Sequence, residues 1–239
     1  MTVINLFAGP GGLEQGAATL GITDIIGIDS DPDVCLTRSA AALNTVPADV
    51  TTANIPQTTS QNVKGLLASP PCPQFSQAGS RHGQQLIPEL VDDIHMGMWP
   101  DHRDRGEAAL VLEVGAWAEK LNPRWIVCEQ VPPALPLWHA YAHRLRSEGW
   151  AGTWAGVLNA ADYGVPQTRV RAILIAHRDR PVLPPTPTHE RHPQQALIGP
   201  TRQRWVSMAD ALGWPPDVEL QPGWMEHRRR WPASGPAPT

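Results

Sequence analysis

The 239-residue sequence contains only three cysteines and no Cys-x-x-Cys pair, which argues against a disulfide framework or a zinc knuckle. Aromatic residues other than tryptophan are few, with two tyrosines and two phenylalanines. The ten tryptophans are scattered, and core packing is the better reading for Trp117, Trp125 and Trp150. No apolar run approaches the length of a membrane span. The first residues, Met1 to Phe7, are apolar but lack a basic leader and run straight into glycines, so they read as a strand and not as a signal peptide. The nine histidines have irregular spacing that gives no recognisable ligand set, so no metal is expected. A reducing intracellular compartment is the expectation.

An excess of positive charge is also missing, since the formal net charge is −4. Its distribution is uneven: residues 1–165 carry 9 Lys+Arg against 17 Asp+Glu, whereas residues 166–239 carry 10 against 6. A polyanion would therefore meet mainly the C-terminal third. On composition alone, a solvated basic face explains the same asymmetry.

The chain does contain alternation. Short apolar runs alternate with helix-period segments over the first two-thirds, the pattern of β-α-β units and a mostly parallel α/β sheet with helices on both faces. Strands are predicted over Val3–Phe7, Asp24–Asp29, Gly65–Ser69, Trp125–Glu129 and Ala172–Ala176. Helices are predicted from Gly12 to Leu20, after Pro32, over Glu107–Leu121 and over Leu137–Gly149. Residues 76–106 show no clear periodicity and read as a long functional loop, more acidic around Ile87–Trp99 than a phosphate-facing loop would be. Beyond Arg180 the chain turns Pro-rich. The expected division is a domain over 1–180 and a shorter Pro-rich, basic segment over 181–239.

Several stretches carry chemistry. Phe7-Ala8-Gly9-Pro10-Gly11-Gly12-Leu13 follows a strand and opens a helix, so its glycines would let a ligand approach the backbone closely. A tight turn without a ligand, or a nicotinamide site, would look the same. Asp29, followed by Ser30, ends the second strand where an acid can accept from ribose hydroxyls. Asp49 could serve near an adenine, although a loop aspartate is more often a cap. In Ser69-Pro70-Pro71-Cys72-Pro73-Gln74-Phe75-Ser76, prolines hold Cys72 just past a strand end, an unusual place for a structural cysteine. Cys35 and Cys128 read as packing residues. Glu129 ends a strand as an acid/base candidate. Arg169 and Arg171, two apart, share one face and could hold an anion or a base carbonyl, or line the solvent side.

Taken in order, these stretches resemble the DNA (cytosine-5) methyltransferase family. The glycine loop is similar to its cofactor loop, Asp29 to its ribose acid, and Pro71-Cys72-Pro73 to its nucleophile motif. Arg105-Gly106 resembles the end of its catalytic loop. Glu129-Gln130-Val131 stands where the family commonly has Glu-Asn-Val, and Asn159 to Arg171 resembles two further motifs. The resemblance is firm over residues 3–176 and loose over 181–214. It implies a Rossmann-like fold that uses S-adenosylmethionine, with Phe7, Ala8, Gly9, Gly11, Gly12, Leu13, Asp29, Ser30, Asp49 and Pro71 near the cofactor. Cys72 would attack C6 of a flipped cytosine, Glu129 would hold N3, and Arg171, beside Arg169, would position the base. Double-stranded DNA is the implied partner and restriction-modification the implied setting. Two C-terminal motifs of the family are not found here, which implies either a truncated or split enzyme completed by another chain or a minimal variant with its own solution. The alternatives are a catalytically incomplete fragment that binds cofactor or DNA, and an RNA cytosine-5 methyltransferase.

Overall fold

The computed structural model describes residues 2–56, 60–72, 75, 82–99, 105–193 and 201–214. Pro73, Gln74, Ser76, His102 and the basic run His227–Trp231 lie outside the described residues. The chain groups into two compact units, one of residues 1–159 with 169–186, the other of 160–168 with 187–239.

The first unit is built on a sheet with strands β1 (Thr2–Leu6), β2 (Ile25–Asp29), β3 (Thr45–Pro47), β4 (Val63–Ala68), β5 (Trp125–Gln130), β6 (Gly152–Asn159) and β7 (Val170–His177). Among the described residues the order is β3-β2-β1-β4-β5-β7-β6. The pairings from β3 through β5 are parallel, and β7 runs antiparallel between β5 and β6. The central strands are apolar on both faces, as strands covered on both sides must be. Val3 and Leu67 face a layer that includes Leu13 and Ala17 of helix α1 (Gly12–Ala18), while Ile4, Leu66 and Ile126 belong to the main core with Trp117, Leu137 and Trp138. Helix α2 (Pro32–Ala40) starts where Asp31 accepts from the Asp33 and Val34 amides, with Pro32 in the first turn.

Within the 76–106 segment, the described residues 82–99 are largely helical. They contain helices α3 (His82–Gln85) and α4 (Ile87–Met96), with Leu90 and Ile94 fully buried. Ile87, Leu90, Val91 and Ile94 form a short apolar stripe. The helix predicted over Glu107–Leu121 is divided into a 3-10 helix (Gly106–Leu112) and helix α5 (Glu113–Leu121). Helix α6 (Leu135–Ser147) covers β6 and β7 and packs against α4. Strands β3 and β6 have no counterpart in the sequence-based expectations. The second unit holds a two-stranded parallel pair, β8 (His189–Glu190) with β9 (Gln203–Arg204), and helix α7 (Met208–Leu212), capped reciprocally by Ser207 and Asp210. Within this unit the Trp205 indole donates to Asp162.

Candidate active site at the carboxyl edge of the sheet

In the parallel part of the sheet, Leu6, Ile28, Ala68 and Cys128 stand in register. The residues just beyond them, Phe7, Asp29, Ser69 and Glu129, therefore emerge at one edge. Strand β7 enters that edge from the opposite direction at Val170, which brings Arg171 to it. The connection from β1 leads to β2 on one side, while β4 lies on the other. A crevice at such a switch point is where open α/β sheets bind ligands.

Phe7 (φ 54°), Gly9 (φ 54°) and Gly11 (φ 105°) adopt positive φ, so the chain turns sharply between β1 and α1. Phe7 is the costly member of the three, because a bulky residue rarely sits there. The loop is tied to its neighbours: the Ala8 amide donates to the Ile28 carbonyl (3.1 Å) and the Ser69 hydroxyl to the Phe7 carbonyl (3.1 Å). A Cβ at Gly11 would lie 2.4 Å from Leu43, whereas one at Gly9 or Gly12 would meet nothing within 4 Å. The backbone there faces open space, which fits the approach of a bound molecule. Asp29 accepts from the Gly9 amide through Oδ2 (2.9 Å) and from the Asp31 amide through Oδ1 (3.0 Å). Each oxygen retains accepting capacity for a hydroxyl. Ser30 is exposed beside it. Asp49 is exposed, and its Oδ1 accepts from both the amide and the hydroxyl of Thr51 (each 2.8 Å), the geometry of a turn cap.

Cys72 is exposed, and the chain around it is held from two sides. The buried Gln130 amide donates to the Pro70 carbonyl (2.9 Å) and the Pro71 carbonyl (3.3 Å), and its Oε1 accepts from the Val131 amide (2.7 Å). Beyond Cys72, the Phe75 amide donates to the Cys72 carbonyl, and Phe75 itself is fully buried. The sequence pattern Glu129-Gln130-Val131 assigned Gln130 no role of its own, whereas its side chain holds the segment that carries Cys72. Its position at the end of a strand, one residue after the acid, was the available signal.

Glu129 receives both arginines on one oxygen. Arg171 Nε lies 2.8 Å from Oε1 and Arg169 Nη2 lies 3.1 Å from it. Oε2 has no partner among the described residues and remains available to accept. The other two thiols sit differently. Cys128 is fully buried, and burial pushes its thiol far up. Cys35 is half-buried and donates to the Asp29 carbonyl (3.4 Å).

The strand order, the glycine turn after β1, the acid ending β2 and the proline-held cysteine after β4 together define an α/β methyltransferase fold. The chain belongs to the C-5 cytosine-specific DNA methylase family, whose model matches residues 1–211. The reaction that defines this family is methyl transfer from S-adenosylmethionine to C5 of cytosine in DNA. Two relatives are named type II methyltransferases. M.DdeI of Desulfomicrobium norvegicum is 26% identical, with 93% of this chain aligned to 50% of the relative. M.AquIA of a Picosynechococcus species is 26% identical, with 88% of this chain aligned to 87% of the relative. Against M.DdeI, then, the chain spans about half the relative's length. Among solved structures, a chain encoded within an E. coli prophage superposes with a TM-score of 0.58 at 21% identity, covering 91% of this chain and 56% of that one. Dnmt2 methyltransferase of S. pombe gives 0.51 at 19% identity, covering 75% and 50%. Both show the fold.

Proposed function

We propose that the chain is the catalytic part of an S-adenosylmethionine-dependent DNA cytosine-5 methyltransferase, with residues 1–180 as its catalytic and cofactor-binding domain. The observation that carries this reading is the convergence at one sheet edge of Cys72, held by Gln130, with Glu129, held by Arg169 and Arg171. Phe7, Ala8, Gly9, Gly11, Gly12, Leu13, Asp29, Ser30 and Pro71 would line the cofactor, and Asp49 would stand at the adenine end.

Cytosine C5 is a weak nucleophile until a group adds at C6. Cys72 attacks C6 as a thiolate, forming the sulfur–carbon bond and making C5 electron-rich. Glu129, positioned by its two arginines and in its carboxylic acid form, donates a proton from Oε2 to N3, which neutralises the negative charge that the attack moves into the ring. Arg171 has further donors for the base carbonyl. When bound, S-adenosylmethionine supplies an electrophilic methyl group for C5. A base then removes the C5 proton, the electron pair re-forms the C5–C6 double bond and expels Cys72 as a thiolate, and the N3 proton returns to Glu129. The target base must leave the duplex, at about a few kcal/mol, for both ring faces to be reached.

Residues 181–239 would form a short target-recognition segment, and reading the DNA sequence would require further protein, within a longer chain or from a complementing one. A soluble enzyme of a restriction-modification pair in the cytoplasm is the setting that fits. Duplex DNA containing 5-fluorocytosine tests the proposal, because the fluorine blocks release of the adduct. With S-adenosylmethionine present, a denaturation-resistant protein–DNA complex is expected, absent in Cys72→Ser. If neither the chain alone nor the chain with a complementing protein is trapped, the proposal fails. Unlabelled tRNA added as a competitor should not reduce the trapped fraction.

A further inference from the structure

Below the glycine loop lies a buried ion pair that the transfer chemistry does not use. Arg38 of α2 is 0% exposed and Glu14 of α1 is 4% exposed. Arg38 Nη1 donates to Glu14 Oε2 and Nη2 donates to Oε1, both at 2.8 Å. The remaining donors are also placed: Nη1 to the Gly9 carbonyl (3.1 Å), Nη2 to the Asn44 carbonyl (3.1 Å) and Nε to Thr45 Oγ1 (2.9 Å). All five guanidinium N–H groups are thus satisfied. Asn5 of β1 adds a donation to Glu14 (3.1 Å). The surroundings are cut to fit, since a Cβ at Gly27 would lie 2.0 Å from Arg38 Nη2.

Stability alone is a poor reason for this arrangement. Removing two charges from water costs about as much as their attraction returns, and apolar residues of similar volume often hold helices together at least as well. What apolar residues cannot do is hydrogen-bond Gly9. That residue's amide is held by Asp29 (2.9 Å) and its carbonyl by Arg38 (3.1 Å), so both sides of a positive-φ glycine are fixed from the β2–α2 unit. A glycine-rich turn otherwise has high backbone entropy, which a ligand would have to remove on binding.

We propose that Arg38, locked by Glu14, is a positioning residue that presets the Phe7–Gly12 loop for the cofactor. The inference rests on the cofactor reading of that loop. The brace acts before any ligand arrives, and this permits a test with two separable readouts. The double substitution Glu14→Met with Arg38→Met replaces the pair by apolar side chains. Amide exchange at Gly9 in the ligand-free protein is expected to rise at least tenfold relative to the parent, with Ile4 in β1 unchanged. The dissociation constant for S-adenosylmethionine, from calorimetry, is expected to rise at least tenfold while the thermal midpoint stays near that of the parent. Arg38→Lys, which keeps a charge beside Glu14 but loses the planar fork, should also loosen Gly9, and it serves if the double variant does not fold. Unchanged Gly9 exchange, or parent-like affinity in a variant that has lost the Gly9 bond, overturns the proposal. If the parent itself does not bind S-adenosylmethionine, the cofactor reading falls and the purpose assigned to the brace falls with it. Gly9 exchange then still decides whether Arg38 holds the loop.

Discussion

At the scale of single residues, the three cysteines divide by environment. Cys72 is exposed at a strand end, Cys35 is half-buried and donates to a carbonyl, and Cys128 is buried where desolvation raises its thiol. A short exposure of the native protein to iodoacetamide, followed by peptide mass analysis, should label Cys72 first, Cys35 slowly and Cys128 only after unfolding. The two arginines on Glu129 should also differ. Arg169 is 50% exposed and its contact is the longer, so it behaves as a surface ion pair contributing roughly 0.2–1 kcal/mol. Arg171 is 26% exposed and approaches to 2.8 Å. Arg169→Ala should therefore slow adduct formation less than about fivefold, since a fivefold change corresponds to about 1 kcal/mol. Arg171→Ala should slow it about 10²-fold, the scale of a misplaced acid/base group. Single-turnover trapping compares them, and equal effects would mean that the arginines act only as a shared charge. The types and order of these residues were legible in sequence. That both arginines close on one carboxylate oxygen was not, because it depends on the antiparallel register of β7 against β5.

At the scale of elements, the strands with continuous apolar runs, β1, β2, β4 and β5, were legible because burial on both faces leaves no polar alternation to confuse the reading. Strand β6 was missed: Gly152-Thr-Trp-Ala-Gly-Val-Leu-Asn159 has two glycines and no clean period. Helix α4 was missed for a different reason. Its stripe from Ile87 to Ile94 spans barely two turns, shorter than the window in which helical periodicity declares itself. Tertiary contacts complete it. Arg144 of α6 donates to the Ile94 and His95 carbonyls at the end of α4, pairs with Glu119 and Glu148, and lies 5.3 Å from the Trp99 ring centre. A cation at the carbonyl end of a helix satisfies free acceptors and complements the dipole. Asp93, in the same helix, pairs with Arg105. Arg144→Ala should destabilise the protein by about 1–3 kcal/mol, as unpaired acceptors and lost packing dictate, and should speed amide exchange in α4 more than in α5. Uniform acceleration across both helices would mean that Arg144 supports the core as a whole and does not clamp the inserted helix.

At the scale of the whole molecule, charge and chemistry are distributed differently. The segment that carries Cys72 and Glu129 lies within residues 1–165, which hold 9 basic against 17 acidic side chains, a balance that on net charge repels a polyanion. The balance reverses after residue 165, with 10 basic against 6 acidic, including Arg228, Arg229 and Arg230 in succession. If DNA is held mainly by this later portion, its affinity should depend on salt in proportion to the phosphates contacted, with a slope of about −0.9 per phosphate in duplex DNA. Replacing Arg228, Arg229 and Arg230 together by glutamine should then reduce the magnitude of the log–log salt slope by up to about 2.7, three such contacts' worth. The dissociation constant for S-adenosylmethionine should not move, because the glycine loop and Asp29 lie in the first unit. Fluorescence anisotropy of labelled duplex across a salt series reads the slope directly. A lowered slope with unchanged cofactor binding places DNA attachment and methyl-donor binding in separate parts of the chain. An unchanged slope removes the arginine run from the DNA path and moves the expected phosphate contacts to Arg169 and Arg171.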